Sequence, residues 1–363
     1  MALLAASLLA ACQPGASTDP TFGYPLPAVS TPAETPGALP SAGPGNSPIA
    51  STPGAATWAR LQVDGDGPPA REDHTWTVAE DGRTAYLFGG RDAGTVFDDL
   101  WSFDLETKRW KRVIVDGAPA ARFGHEAAWL PGRGLVIWAG QAGADFFDDI
   151  WLLDPAAGSW KELQVDGEVP VARYGSCSGV GPDGRFWISH GFTANGVRFD
   201  DTRSFGLGDR RWTDRAPGGS TPVKRCLHAC WWTSDGRLAL YGGQTNGVPA
   251  LGDLWFLTPG RDGEEGGWAE APGQPAAARQ LAAVIRRGEQ AILFGGRGED
   301  GEALADAWVL PDGATALAPL AVTESPPARS GAAMVYDASG DRLVLFGGLG
   351  DDAFGDVWEL TFP

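Results

Sequence analysis

Residues 88–110 read FGGRDAGTVFDDLWSFDLETKRW, and residues 138–160 read WAGQAGADFFDDIWLLDPAAGSW. The shared skeleton is a small-residue doublet, a polar loop, an Asp, then a Trp two residues later. The doublet or a near-equivalent recurs at Gly89-Gly90, Ala139-Gly140, His190-Gly191, Gly242-Gly243, Gly295-Gly296 and Gly347-Gly348, at intervals of 50 to 53 residues. Each follows an apolar, strand-like run such as TAYLF or LVLF. Asp99, Asp149, Asp201, Asp253, Asp306 and Asp356 then open another strand. Trp101, Trp151, Trp255, Trp308 and Trp358 follow, with Arg203 standing in the third copy.

Six copies of about 50 residues, each with four strand signals, indicate radial repetition: an all-β chain folded as a β-propeller. The diglycine, the Asp before the third strand and a Trp opening the fourth (Trp110, Trp160, Trp212, Trp268) resemble the kelch family over residues 58–363. The fold expected is a six-bladed kelch-type propeller with four antiparallel strands per blade. The last copy ends without a fourth strand, while Trp58-Ala59-Arg60-Leu61-Gln62-Val63 matches the fourth strands WKRVIV and WKELQV. The N-terminal strand is therefore expected to complete the last blade and remove two free edges. The doublets read as close-packed turns and the Trp positions as inter-blade packing.

The rest of the chain divides by composition. Residues 1–11 are apolar and lead into Leu9-Ala10-Ala11-Cys12, which resembles the lipobox of bacterial lipoproteins, with Cys12 the lipidated residue. Residues 12–57 are rich in Pro, Ala, Gly, Ser and Thr, too poor in bulky apolar groups to fold, and read as a tether. The expected location is the cell envelope, on the outer face of a bacterial membrane and held by the lipid alone, or else secretion. A net charge of -18 argues against general affinity for nucleic acid or an anionic membrane.

Strands in a blade alternate in direction, so the 2→3 and 4→1 loops share one face. The 1→2 turns are short, whereas the 2→3 loops are longer and vary between copies, as recognition loops on a rigid scaffold do. Candidate ligand-binding residues on this face are Arg91, Gln141, Gln244 and Arg297, just past the doublets, with Asn195, Arg198 and Asn246 in the loops. The loop aromatics Phe97, Phe146, Phe192 and Phe199 join them, since amides beside exposed rings suit sugars.

An Arg precedes each first strand: Arg71, Arg122, Arg173, Arg225, Arg279 and Arg329. As a ring they would attract anions. Neighbours ~10 Å apart repel by about 1–2 kcal/mol at an effective dielectric of 20, whereas an Asp at ~4 Å returns about 4, so pairing with the third-strand Asp is favoured. The six stay candidates for ligand binding, free or paired. His74, His125 and His228 share one repeat position and read as scaffolding. His190 and Arg203 make the third copy the most divergent, which often marks function.

No metal, cofactor or catalytic residue is expected. Kelch-related copper radical oxidases need a tyrosine and histidine set that the five tyrosines here do not display. In an oxidising compartment Cys177 can pair with Cys226 or Cys230, leaving one thiol over; the alternative is three buried thiols. The expectation is a monomeric protein binding a protein partner or glycan. The alternatives are a metal-independent carbohydrate-active enzyme, as the family's sialic acid mutarotase implies, and a structural envelope protein.

Overall fold

A computed structural model describes residues 54–215, 218–260, 266–272 and 277–363. The lipobox-like segment, Cys12 and the tether up to residue 53 lie outside the described residues. The described chain forms six antiparallel sheets arranged as blades. Blade 1 runs Thr75–Val78, Thr84–Phe88, Leu100–Asp104 and Arg109–Val113 from the axis outward. The first strands of blades 2 to 6 are Glu126–Leu130, Cys177–Val180, Ala229–Trp232, Ala283–Arg287 and Ala333–Asp337. Each first strand touches those of the two adjacent blades, and blade 6 touches blade 1, so the ring closes at six.

Closure is made by the N-terminus, as the unfinished last copy implies. Ala56–Arg60 pairs antiparallel with Val357–Thr361, placing Trp58 opposite Leu360. This strand begins at Ala56, inside the stretch that composition assigns to the tether, because Ala56 and Trp58 are both buried in the blade. Its outer edge is in turn covered by Val322–Thr323, which pairs parallel to Ala56 and Thr57. An edge that could recruit another chain is thereby occupied.

The core is divided among the blade interfaces. The apolar cluster around Trp76, Trp110 and Phe346 joins blades 6 and 1, that around Phe88, Ile137 and Trp160 joins blades 1 and 2, and four more serve the remaining junctions. Fourth-strand tryptophans reach back to the preceding blade: Trp58 packs on Phe294, Trp110 on Phe346, Trp160 on Phe88 and Trp212 on Trp138, with ring centres 5.1 to 5.4 Å apart. Burying such a ring contributes about 1.5–3 kcal/mol at most.

All six pre-strand arginines are buried and paired with the Asp that opens the third strand of the same blade. Arg122 shows the pattern: Nη1 and Nη2 donate to Asp149 at 2.6 and 2.8 Å, Nη1 also donates to the Ala139 carbonyl at 2.9 Å, and Nε donates to the Ala120 carbonyl at 3.0 Å. Trp151 Nε1 donates to the same carboxylate at 2.7 Å. Blade 3 replaces that indole with the Arg203 guanidinium, whose Nε donates to Asp201 at 3.0 Å.

The arginine backbone also ties blades together. The second doublet residue donates its N–H to the Arg carbonyl of the next blade, from Gly90 to Arg122 at 2.8 Å and round to Gly348 with Arg71 at 2.8 Å. A Cβ on Gly89 would stand 2.5 Å from that Arg122 oxygen, which explains the preference for glycine. Ala139 and His190 keep the left-handed φ at 62° and 59°.

Replacing Asp149 with Asn leaves the fully buried Arg122 cation facing a neutral group. Asp149→Asn should therefore lower unfolding free energy by about 3–5 kcal/mol. Asp64→Asn, in the exposed pair with Arg109, should change it by less than about 1. Urea unfolding of both variants checks this, and equal small losses would contradict the assignment.

Candidate functional site

The six Arg side chains, candidates for ligand binding by sequence, are thus occupied by Asp and carbonyl oxygens. They do not form an open anion ring. Desolvation alone would raise the Asp149 carboxyl, but the hydrogen bond and charge of Arg122 outweigh it and hold the group below its ordinary range. The other five Asp partners are lowered in the same way. Four of the arginines also stack on loop rings: Arg71 on Phe97, Arg122 on Phe147, Arg173 on Phe199 and Arg329 on Phe354, at 3.9 to 4.2 Å. Phe97 and Phe199 are therefore turned inward. Phe192 is buried against Tyr174, and Phe146 packs edge-on to Phe192. Phe192 is buried and Phe97, Phe146 and Phe199 are half-buried, so none of the four stands as a fully exposed ring of the kind expected for a sugar.

Directly after each Arg the chain turns in over the axis. Asp73, Gly124, Gly175, Leu227, Leu281 and Gly331 all have left-handed φ, between 54° and 63°. Each donates its N–H to the carbonyl of its counterpart in the preceding blade: Gly124 to Asp73, Gly175 to Gly124, Leu227 to Gly175, Leu281 to Leu227, Gly331 to Leu281, and Asp73 to Gly331, at 2.7 to 3.2 Å. Six hydrogen bonds make a closed collar at the mouth of the central channel. A Cβ on Gly124 would overlap the Tyr174 ring at 1.8 Å, so the glycine there gives the ring its place.

Above the collar, the residue after each doublet pairs with the residue after each Arg: Arg91 with Glu72, Gln141 with Phe123, Phe192 with Tyr174, Gln244 with Cys226, Arg297 with Gln280 and Leu349 with Ser330. Five positions predicted from sequence, Arg91, Gln141, Phe192, Gln244 and Arg297, thus come together around one opening. Arg91 donates to Glu72 at 3.1 Å and to Asp73 at 3.0 Å, and its guanidinium lies 4.1 Å from the Phe123 ring centre. Tyr174 donates to Asp73 across the opening at 2.9 Å. Arg297 donates to the Gly301 carbonyl at 2.5 Å and more distantly to Ser330, and no carboxylate pairs with it among the described residues. Arg198 is buried and bonds Asn246, whereas Asn195 is exposed at the rim.

Glu72, Asp73, Tyr174, Gln280 and Ser330 were not singled out by sequence. For four of them a signal is present nonetheless: Glu72, Tyr174, Gln280 and Ser330 occupy the position directly after a constant Arg, where all six copies differ, and Asp73 replaces the Gly or Leu of the next position.

Blade 3 departs from the repeat for structural reasons. His190 is fully buried, its Nδ1 lies 2.7 Å from Ser189 Oγ, and its ring packs on His228 and Trp268. Its divergence marks packing, not an exposed site. Cys177 is bonded to Cys230, joining the first strands of blades 3 and 4. Cys226 is the cysteine left over, buried with its sulfur 4.0 Å from the Gln244 carbonyl.

Burial is the main cause of the shifts of the four imidazoles and of Glu72 and Glu126, with nearby arginines second for His74 and His190. These two are held down to about 3, and His125 and His228 well below the ordinary imidazole range. Glu72 is pushed up to about 8 by burial and by Asp73, and Glu126 to about 8 by burial. The four imidazoles gain protons on unfolding below about 6.5, so stability declines as pH falls from 6.5. The two glutamic acids keep their protons when folded and lose them above 4.5 when unfolded, so their contribution fades between 4.5 and 8. Four groups outweigh two below 6.5, and the two act alone above it. The thermal midpoint should peak near pH 6.5 and fall on both sides. Calorimetry from pH 4.5 to 8 checks this, and a monotonic rise would contradict it.

The KLHDC2/KLHL20/DRC7 kelch-repeats domain model matches residues 49–243. Among curated proteins, acyl-CoA-binding domain-containing protein 5 of Arabidopsis thaliana is 40% identical over 70 residues, 19% of this chain and 11% of that protein. Acyl-CoA-binding domain-containing protein 4 of the same plant is also 40% identical over 70 residues, 19% and 10% of the two chains. F-box/kelch-repeat protein At1g51550, again from Arabidopsis thaliana, is 34% identical over 92 residues, 24% and 19% respectively. The chain spans about a tenth of the length of the first two and about a fifth of the third. With six copies closed into one ring and the domain model covering just over half of its length, the chain belongs to the kelch-repeat family of β-propellers.

Proposed function

We propose that this propeller is a binding scaffold for a protein partner, held on the face that carries the 2→3 and 4→1 loops. One observation carries the reading. Among the described residues, the large apolar side chains left exposed are Ile114, Val169, Val171, Val197, Val223 and Val248, and all of them stand on segments of that face. Five of the six cluster on blades 3 and 4, the pair joined by the disulfide. Val169, Pro170, Val171 and Phe199 line a hollow of about 430 Å³ there. Burying each valine against a partner would contribute about 1.5–3 kcal/mol at most. An aliphatic patch beside a polar, carboxyl- and guanidinium-lined opening suits a protein surface better than a sugar, since each loop ring has a face or edge engaged by an arginine or another ring.

Val171→Asp combined with Val223→Asp should weaken by tenfold or more the binding of peptides selected on the propeller from a phage-displayed library. Selected peptides that bind the double variant unchanged would move the interface elsewhere.

The partner-binding domain is, in this reading, extracytoplasmic and anchored by lipid at Cys12. The Cys177–Cys230 bond supports an oxidising compartment. Cys12→Ser should shift the protein from the membrane fraction to the soluble fraction, and retention on membranes would overturn the anchor.

A further inference from the structure

The channel beneath the collar holds a carboxyl group that the proposed docking face does not use. At the first-strand position occupied by Thr75, Cys177, Ala229, Ala283 and Ala333 in the other blades, blade 2 carries Glu126. Glu126 lines two adjoining cavities of about 150 and 210 Å³ on the propeller axis, the first directly under the collar and the second nearer the 1→2 hairpins. Their walls include Thr75, Thr77, Ser176 and Ser178, with small Ala residues from blades 5 and 6 opposite; Ser176 and Ser178 donate to backbone carbonyls and Thr75 bonds His125, which leaves hydroxyl lone pairs able to accept. Among the described residues no Lys or Arg forms an ion pair with Glu126, and Ser178 stands beside it in the wall.

A carboxyl enclosed by protein without a basic partner is costly to ionise, and its proton is retained when nothing else neutralises it. A cation entering the cavity would remove that penalty. The protein's charge of -18 favours cations along the axis. Cavities of about 150 and 210 Å³ have room for a small organic cation. We propose that the channel binds a small primary ammonium ion, with Glu126 as its counter-ion and the threonine and serine hydroxyls accepting its remaining N–H bonds.

Binding exchanges one proton for one cation: the Glu126 carboxyl releases H⁺ to solvent as the ammonium enters, so charge balances. The other ionisable groups around the lumen are His74, His125 and His228, all held neutral, and Asp73, which is engaged by Arg91 and Tyr174 in the collar. Because Glu126 is pushed up to about 8, affinity should be greatest above that pH and fall about tenfold for each unit below it.

The test is calorimetric titration of the intact protein with ethylammonium chloride at constant ionic strength, at pH 6.5 and 8.5. Each titration is run in two buffers of different ionisation enthalpy. Expected are saturable binding, a weaker constant at the lower pH, and release of close to one proton per ion at pH 6.5. Glu126→Gln, which keeps an amide beside Ser178, should bind at least tenfold more weakly while unfolding at a similar temperature. No saturable binding, affinity indifferent to pH, no proton release, or undiminished binding by a folded Glu126→Gln each overturns the proposal. If that variant does not fold, proton release and pH dependence of the unaltered protein decide alone.

Discussion

The buried Arg–Asp pair is the constraint on which this molecule depends. In each blade one guanidinium joins the start of the third strand, the carbonyl at the doublet turn and the chain leading into the first strand. The same arginine's carbonyl accepts from the doublet of the preceding blade. Taking these charges out of water is expensive, and their mutual attraction offsets much of that cost only because the geometry is bidentate and the carboxylate has a further donor. The pair is thus better understood as specifying a corner than as adding net stability. A blade that misplaced its third strand would leave a bare cation inside.

This arrangement also limits where recognition can develop. The residues common to all copies are engaged with one another, and the arginines that look from sequence like a ready anion ring are closed off by Asp, carbonyl and aromatic neighbours. What remains free to vary is the position directly after each Arg, the position after each doublet, and the loops. Glu72, Tyr174, Gln280 and Arg297 stand at such positions. So do the exposed valines of blades 3 and 4. Repetition builds the frame, and the differences between copies make the surface distinctive.

The departures of blade 3 follow the same logic. Arg203 donates to Asp201 where other blades use an indole, and His190 adopts the left-handed turn that a glycine would take. Each is a substitution within the knot that preserves its hydrogen bonds. Divergence from a repeat is therefore ambiguous until the contacts are seen, because a replaced donor and a new site look alike in one dimension.

Much was legible in one dimension because a repeat is a local pattern. The spacing of the doublets, the Asp two residues before each Trp, and the match of Trp58 to other fourth strands determined the number of blades, the strand order and the closure. These depend on neighbours within about 50 residues and on symmetry. The fate of individual side chains was decided by tertiary structure alone. The pairing of Arg122 with Asp149 was favoured by charge arithmetic, but its bidentate geometry, the choice of Cys230 over Cys226 by Cys177 and the stacking of Phe199 on Arg173 depend on distances in the folded chain that no spacing encodes. The collar of left-handed residues and the lone Glu126 in the channel belong to the same class. Both exist only once six separate segments converge on one axis, where burial and enclosure change what each group can do.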